Sequence, residues 1–251
     1  MTRSAWYIGC HADEIGDSAI LVGDPARIAR LAAFLDAPRM LEEKRGLRAV
    51  TGERKGRRLT AVAFGMGAPI ATIVLHELRD LGVHTFLRIG TAQVMPPAAL
   101  GEFVLADAAL RAEGASLTYA PAGYPAAADF DLNAALRARL RKSGRGWRAG
   151  VFATYDGFYS QMFALSDGER RVIDDLRQDL VRYRILATDM ETSALLAVGR
   201  LLGARVSSLC MGTVNGLTQE TLPQAEQAIC EQEMFEIALD VLAALPKPAK
   251  E

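Results

Sequence analysis

Short apolar runs alternate with amphipathic segments along most of this chain. The runs from Ser18 to Val22, Leu59 to Phe64 and Thr85 to Ile89 are short and apolar enough to be buried strands. Apolar residues at helical spacing predict helices from Ile70 to Leu81 and from Gln224 to Leu245. Strands that alternate with helices are typical of a largely parallel or mixed sheet covered by helices. The pattern therefore predicts an α/β fold.

Glycine-rich turns follow the predicted strands. Gly23 to Arg27 reads GDPAR, in which Asp24 can cap a helix that runs to about Phe34. Gly65 to Pro69 reads GMGAP and precedes the next predicted helix. Free backbone N–H groups at a helix start can bind an anion, although a tight turn beside a solvated arginine is the alternative.

Arg88 is the unusual residue of the third run, TFLRIGT, which we expect to end with a turn at Gly90. A charge near the end of a buried strand is costly unless it is paired. Arg88 should therefore meet either a carboxylate or a bound anion, and this segment alone leaves both open. Ligands of α/β sheets bind at the carboxyl ends of strands.

Composition narrows the class of protein. The chain has 251 residues, compatible with one α/β domain over residues 1–251, with a disordered tail from about residue 246. A formal net charge of -1 argues against nucleic acid and membrane surfaces as partners. The 3 cysteines form no C-x-x-C pair, and neither an export signal nor a long apolar span is evident. We expect a cytoplasmic protein.

The basic stretch from Glu43 to Leu59 is predicted to be a mostly solvated hairpin that turns at GERKG.

Five motifs, in order GDPAR, GMGAP, FLRIGT, EGASLTYAP (Glu113 to Pro121) and DMETSALL (Asp189 to Leu196), together resemble the uridine phosphorylase branch of the nucleoside phosphorylase family. The resemblance implies a single α/β domain whose central mixed, partly barrel-like sheet is flanked by helices. It implies a homodimer as the minimal active unit, commonly three dimers to a hexamer. The implied reaction splits a nucleoside with inorganic phosphate into a base and ribose 1-phosphate, without a cofactor.

The resemblance also implies roles for residues in the anion half of the site. Arginine suits phosphate because its planar fork binds two oxygens and stays charged. Glu191 would bind the ribose hydroxyls with Thr91, and Met190 would pack on the sugar, so Arg88 and Glu191 are the expected catalytic pair. From the residues alone, Asp189 and Glu191 could simply be favourable charges at a helix N-terminus. The implied phosphate ligands are Gly23, Arg27, Arg88, Thr91 and, from the neighbouring subunit, Arg45.

The base half departs from the family pattern. Phe158 matches an aromatic position beside the base, but Met162 and Ala164 stand where a glutamine and an arginine read uracil. Gln161 lies one residue early and could serve after a loop shift. A further arginine expected soon after Asn215 is replaced by GLT. Uridine, another pyrimidine or purine nucleoside, and a non-catalytic nucleoside-binding or nucleotide-binding role therefore stay open.

Two further departures concern the sugar end and metals. Tyr7 stands where the family has a histidine from the neighbouring subunit. A phenol can make the same kind of hydrogen bond, but a tyrosine at this position can equally serve for packing alone, and the sequence leaves both open. Gly46 and Ile70 replace residues that would offer oxygens to a monovalent cation. The 3 histidines lack a metal-binding spacing. We expect no metal site.

Overall fold

The computed structural model describes residues 3–246, so most of the predicted disordered tail lies outside the described residues. The strands are β1 (Ser18–Val22), β2 (Asp36–Met40), β3 (Ala49–Arg54), β4 (Arg57–Ala63), β5 (Thr85–Val94), β6 (Phe103–Ala112), β7 (Ala126–Ala127), β8 (Trp147–Tyr155), β9 (Ala187–Asp189) and β10 (Arg205–Asn215). The helices are α1 (Ala26–Ala32), α2 (Ala68–Asp80), α3 (Phe130–Leu140), α4 (Asp167–Arg182), α5 (Thr192–Leu201) and α6 (Gln224–Ala244), with a 3-10 turn at Ser116–Thr118 and a π-helical turn at Phe158–Met162.

The strands form one mixed sheet in the order β10-β6-β8-β9-β5-β1-β4-β3-β2, with β7 paired to β6. Strand β5 also pairs with β10, in parallel, which closes β5, β10, β6, β8 and β9 into a ring. Strands β1, β4, β3 and β2 extend the sheet outside that ring. The predicted mixed, partly barrel-like sheet is therefore confirmed.

Helices cover the sheet over two apolar clusters. In one cluster, Leu31 of α1, Leu136 of α3 and Phe235 of α6 pack with residues of the sheet. In the other, α2 and α5 do the same, through residues such as Leu75 and Leu195. Two apolar residues of these helices are exposed, Leu201 by 43% and Ile229 by 56%. Leu201 is the last residue of α5, and Ile229 lies in the first two turns of α6, where most residues are exposed.

Strand β5 is longer than predicted, because it continues through Gly90 to Val94. Gly90 makes no turn. A Cβ atom at Gly90 would lie 2.7 Å from Nη1 of Arg88, so the glycine instead leaves room for the guanidinium. The extra length carries Gln93 alongside Thr91, two residues away and on the same side of the strand.

The basic hairpin is tighter and more buried than predicted. Strands β3 and β4 pair up to Arg54 and Arg57, which leaves Lys55 and Gly56, both at positive φ, as the turn. Thr51, Arg57 and most other residues of the two strands are buried, because β4 also pairs with β1 inside the sheet. Helix α1 ends at Ala32, before the predicted Phe34. Its N-cap residue is Pro25, and the predicted capping residue Asp24 accepts from the backbone N–H of Ala26 at 2.8 Å.

Cys10, Cys210 and Cys230 are buried free thiols. Within residues 3–246, no helix combines the length and apolar character needed to cross a bilayer. The cytoplasmic location stays a prediction.

Candidate active site

A cavity of about 440 Å³ lies where β1, β4 and β5 approach their carboxyl ends. The three strands run parallel, so the turns after β1 and β4 meet at one edge of the sheet. Gly65 donates a backbone hydrogen bond to Gly23 O at 3.0 Å. A Cβ atom on Gly23 would lie 2.9 Å from Gly65 O, so this close approach of the two backbones requires glycine at Gly23.

Most of the residues predicted from the sequence come together around this cavity. Those that line it are Gly23, Arg27, Arg88, Thr91, Phe158, Met162, Met190 and Glu191. Gln161, Tyr7 and Arg45 do not line it.

Arg88 is 5% exposed and lies among acidic side chains. Its Nη2 donates to Glu191, and its Nη1 lies 3.2 Å from Oδ2 of Asp189 and donates to Sγ of Cys210 at 2.7 Å. Burial acts to lower the pKa of Arg88, but Cys210, Asp189 and Glu191 raise it above its ordinary value, so the guanidinium stays charged. The sequence left open whether Arg88 meets a carboxylate or a bound anion. The structure places two carboxylates, those of Asp189 and Glu191, beside it. Among the described residues, Arg88 Nε still has no hydrogen-bond partner.

Glu191 and Asp189 differ in what they bind. Asp189 accepts hydrogen bonds from Thr154 and from Thr192, including the Thr192 backbone N–H, and so stabilises the start of α5. Asp189 therefore fits the alternative in which the carboxylate is simply a favourable charge at a helix N-terminus. Glu191 makes no cap bond and instead accepts from Gly67 N at 2.7 Å and from Arg88. Glu191 thus joins the second glycine turn to the arginine.

Arg27 reaches the same cavity from α1 and is held from behind by α6. Its Nε donates to Oε2 of Glu231 at 2.6 Å, and both side chains are 10% exposed. Oε1 of Glu231 accepts from Nε of Arg30 at 2.5 Å. One buried carboxylate therefore orients an arginine that lines the cavity, and the sequence motifs do not reveal this link.

The aromatic and thioether residues expected at the base end are in place. Phe158 stacks on Phe163 with ring centroids 5.9 Å apart, and both rings and Met162 line the cavity. Gln161, which could bind the base only after a loop shift, does not line the cavity, and its Oε1 accepts from Gly157 N at 3.0 Å within its own turn. The π-helical turn at Phe158–Met162 fixes this orientation.

Sequence reasoning missed two polar residues at the same end. Gln93 of β5 and Thr188 of β9 line the cavity and face each other across the two strands. The sequence did offer a signal for Gln93, since it lies two positions after Thr91. Residues two positions apart in a strand face the same side, so a longer β5 would have placed Gln93 beside Thr91.

Tyr7 and Arg45 lie together at the surface. The guanidinium carbon of Arg45 stands 4.8 Å from the centroid of the Tyr7 ring, and Glu77 accepts the Tyr7 backbone N–H at 2.7 Å. The neighbouring Trp6 is 76% exposed. Both predicted donors to a second subunit therefore share one patch of this chain.

The sequence profile of the Phosphorylase superfamily matches residues 17–244. The chain belongs to this superfamily. A uridine phosphorylase of Thermococcus kodakarensis is 30% identical over an alignment of 227 positions that covers 86% of this chain and 79% of that protein. A guanosine phosphorylase of Halorubrum lacusprofundi is 30% identical over 81% of this chain and 79% of its own length.

A solved structure of uridine phosphorylase from Vibrio fischeri, in complex with 6-hydroxy-1-naphthoic acid, superposes with a TM-score of 0.81. It is 30% identical in sequence, and the match covers 93% of this chain and 94% of that one. This phosphorylase superfamily member is therefore uridine phosphorylase-like in both sequence and fold.

Within residues 3–246, no group of three or more histidine, cysteine, aspartate or glutamate side chains is arranged to hold a metal ion. That the protein works without metal or cofactor stays a prediction.

Proposed function

We propose that the protein is a nucleoside phosphorylase of the uridine phosphorylase type. It cleaves the N-glycosidic bond of a nucleoside with inorganic phosphate and releases the free base and ribose 1-phosphate or its deoxy analogue. The observation that carries this proposal is the convergence of Arg27, Arg88 and Glu191 on one cavity bounded by two glycine turns.

The phosphate binds at the end of the cavity formed by the β1 turn. Gly23 lets the backbone approach the anion, while Arg27 and Thr91 reach it from α1 and β5. Arg88 supplies positive charge at the same cavity. Two fixed guanidinium groups hold the nucleophilic oxygen in place for attack on the anomeric carbon, so little orientational freedom is lost in the reaction.

The ribose lies over Glu191 and Met190. A carboxylate accepts hydrogen bonds from ribose hydroxyls and favours the positive charge that develops in the ring as the glycosidic bond stretches. Glu191 is kept in position by Gly67 and Arg88, so it does not have to reorganise during the reaction.

The base binds beside Phe158 and Met162. Uridine and guanosine, the nucleosides in the names of the relatives, carry different rings but share a lactam edge, in which a ring N–H adjoins a carbonyl. We therefore propose a lactam base as the leaving group.

The active unit is a homodimer in which each subunit completes the other's site with Tyr7 and Arg45. Both residues lie outside the cavity of their own chain, and they occupy one patch beside the exposed Trp6. Arg45 adds a third arginine to the phosphate, and Tyr7 donates a hydrogen bond to the 5′-hydroxyl group. Three such dimers form the hexamer implied by the family.

The test of the reaction is chromatography of products from a panel of nucleosides with and without phosphate. Phosphate-dependent release of base supports the proposal. Release without phosphate would identify a nucleosidase, and binding without product would identify a passive binder; both results contradict it. Arg88→Ala should abolish the reaction, and Arg88→Lys, which keeps a charge in the buried site but loses the fork, should reduce it about 100-fold. Arg200→Ala changes an exposed arginine on α5 and is the matched control.

The test of the shared site is complementation. Arg45→Ala and Arg88→Ala proteins, each inactive alone, should regain activity when they are mixed and allowed to exchange subunits. A mixed dimer then has one site that lacks both arginines and one site that is intact. No recovery in a mixture whose exchange is verified by native mass spectrometry would place Arg45 outside the neighbouring site.

A further inference from the structure

Gln93 is a buried amide at the base end of the cavity. It is 6% exposed, and it lines the cavity with Phe158 and Met162. Its neighbour across the β5·β9 pair, Thr188, is 1% exposed and also lines the cavity. A glutamine at such a place is costly unless its polar atoms are used.

Two hydrogen bonds hold the Gln93 amide in one orientation. Nε2 donates to the backbone carbonyl of Met162 at 2.8 Å, and Oε1 accepts from the Thr188 hydroxyl at 3.1 Å. A carbonyl can only accept, so the Met162 contact requires the NH₂ group on that side and rules out the flipped amide. The Thr188 hydroxyl must then be the donor in the second bond.

The amide keeps unused hydrogen-bonding capacity. A glutamine side chain offers two N–H donors and two acceptor lone pairs. One donor is used by Met162 and one lone pair by Thr188, which leaves one N–H and one lone pair free. A lactam edge needs one donor and one acceptor of this kind, because its carbonyl accepts and its ring N–H donates.

We propose that Gln93 is the residue that reads the base, with its Oε1 accepting the ring N–H and its free Nε2–H donating to the adjacent carbonyl. This inference rests on the proposed function and adds the residue that selects the base. Thr188 positions the amide. Gln93 takes the role expected of Gln161, whose own amide is occupied by Gly157 and does not line the cavity.

The experiment combines a change in the protein with a change in the base. N3-methyluridine and N1-methylguanosine carry N–CH₃ in place of the ring N–H of uridine and guanosine. The ratio of kcat/KM values within each pair measures how much the enzyme depends on that N–H, and the comparison between protein variants shows which residue is responsible. In the native enzyme, methylation should lower kcat/KM about 10- to 100-fold, because a buried hydrogen bond is lost and a methyl group faces Oε1 of Gln93 in its place. In Gln93→Met, which keeps the length and removes both polar groups, the unmethylated substrate should lose about as much, and the methylation penalty should shrink to less than about threefold.

The control is Gln178→Met, the same substitution at an exposed position of α4, which should keep the full penalty. Thr188→Val, which removes the hydroxyl that orients the amide, should give an intermediate penalty. A full penalty in Gln93→Met would overturn the proposal even if overall activity fell, since damage to the fold would weaken both substrates equally.

A second measurement separates this inference from the proposed function. Calorimetric binding of free uracil or guanine and of the corresponding methylated bases gives the same comparison without any reaction. If the protein shows a base preference that depends on Gln93 but no phosphorolysis, the role of Gln93 in base recognition would be supported and the proposed phosphorylase activity refuted. Phosphorolysis with a base preference that does not change in Gln93→Met would support the phosphorylase activity and refute the role of Gln93. A native preference for cytidine or adenosine, which lack a lactam edge, would have the same meaning.

Discussion

Replacing Glu191 by glutamine tests the centre of the proposed site, because it removes a charge and leaves the shape unchanged. The carboxylate accepts from Gly67 N at 2.7 Å and from Arg88, with a side chain that is 7% exposed. A glutamine can accept only one of these bonds, and its NH₂ group must face the other donor.

The cost of this change follows from the contacts that remain. Losing a hydrogen bond to a charged partner costs about 1.5–3 kcal/mol. A buried charge without any partner costs more, about 3–5 kcal/mol, but Arg88 keeps Asp189 at 3.2 Å. We therefore expect the free energy of unfolding to fall by about 2 kcal/mol, which lowers Tm by about 4–8 °C in a chain of this size.

The same substitution should affect catalysis according to the sugar. If Glu191 binds the ribose 2′-hydroxyl group, kcat/KM should fall about 100-fold, or about 2.7 kcal/mol, for a ribonucleoside. The loss should be about tenfold for the 2′-deoxyribonucleoside, which lacks that contact. Steady-state kinetics on the two substrates and a thermal melt measure both effects.

Two variants make the result decisive. Glu53→Gln removes the same charge at an exposed position of β3 and should leave both Tm and kinetics unchanged. Asp189→Asn should lower Tm but affect both sugars alike, because Asp189 binds the start of α5. If Glu191→Gln loses equal activity on the two sugars, Glu191 does not contact the 2′-hydroxyl group. If the variant keeps the kcat/KM of the native protein, Glu191 is not part of the site.

Three other outcomes are expected. Glu231→Gln should raise KM for phosphate about tenfold with little change in kcat, because Arg27 loses the charge that orients it; an unchanged KM would show that Arg27 does not bind phosphate. Phosphate at about 100 times its Kd should stabilise the protein by about 2.7 kcal/mol and raise Tm by about 5–10 °C, whereas sodium chloride at equal ionic strength should not. Burial acts to raise the pKa of Asp240, but hydrogen bonds from Lys55 and Arg54 lower it below its ordinary 3.8. The stabilisation is present above that value and is lost as pH falls through the lowered pKa, so Asp240→Asn should cost about 1 kcal/mol at neutral pH and nothing near about pH 2 in chemical denaturation.

Local patterns predicted much of the fold and several of the residues that line the cavity. Strand β1 and helix α6 begin where the apolar periodicity begins, because burial of one face is a property of neighbouring residues. The glycine turns and Arg88 could also be located, since a turn needs glycine and a buried charge needs a partner whatever the rest of the chain does.

The base half shows where local reasoning fails. Gln161 lies one residue before the position at which the family has its base-binding glutamine. Whether its side chain faces the cavity depends on the π-helical turn, within which it accepts a hydrogen bond from Gly157. Gln93 was missed because the end of β5 is set by pairing with β9 and β10, and those partners lie far along the chain.

Only the tertiary structure decides which distant groups meet. Arg27 and Glu231 are 204 residues apart, Arg88 and Glu191 are 103 apart, and Gln93 and Thr188 are 95 apart. The sequence alone determines that this chain has strands, helices, glycine-containing turns and charges in need of partners, because those follow from the chemistry of adjacent residues. The partners themselves follow from the ring closed by β5 and β10, since strand register is a property of the assembled sheet and not of any one segment.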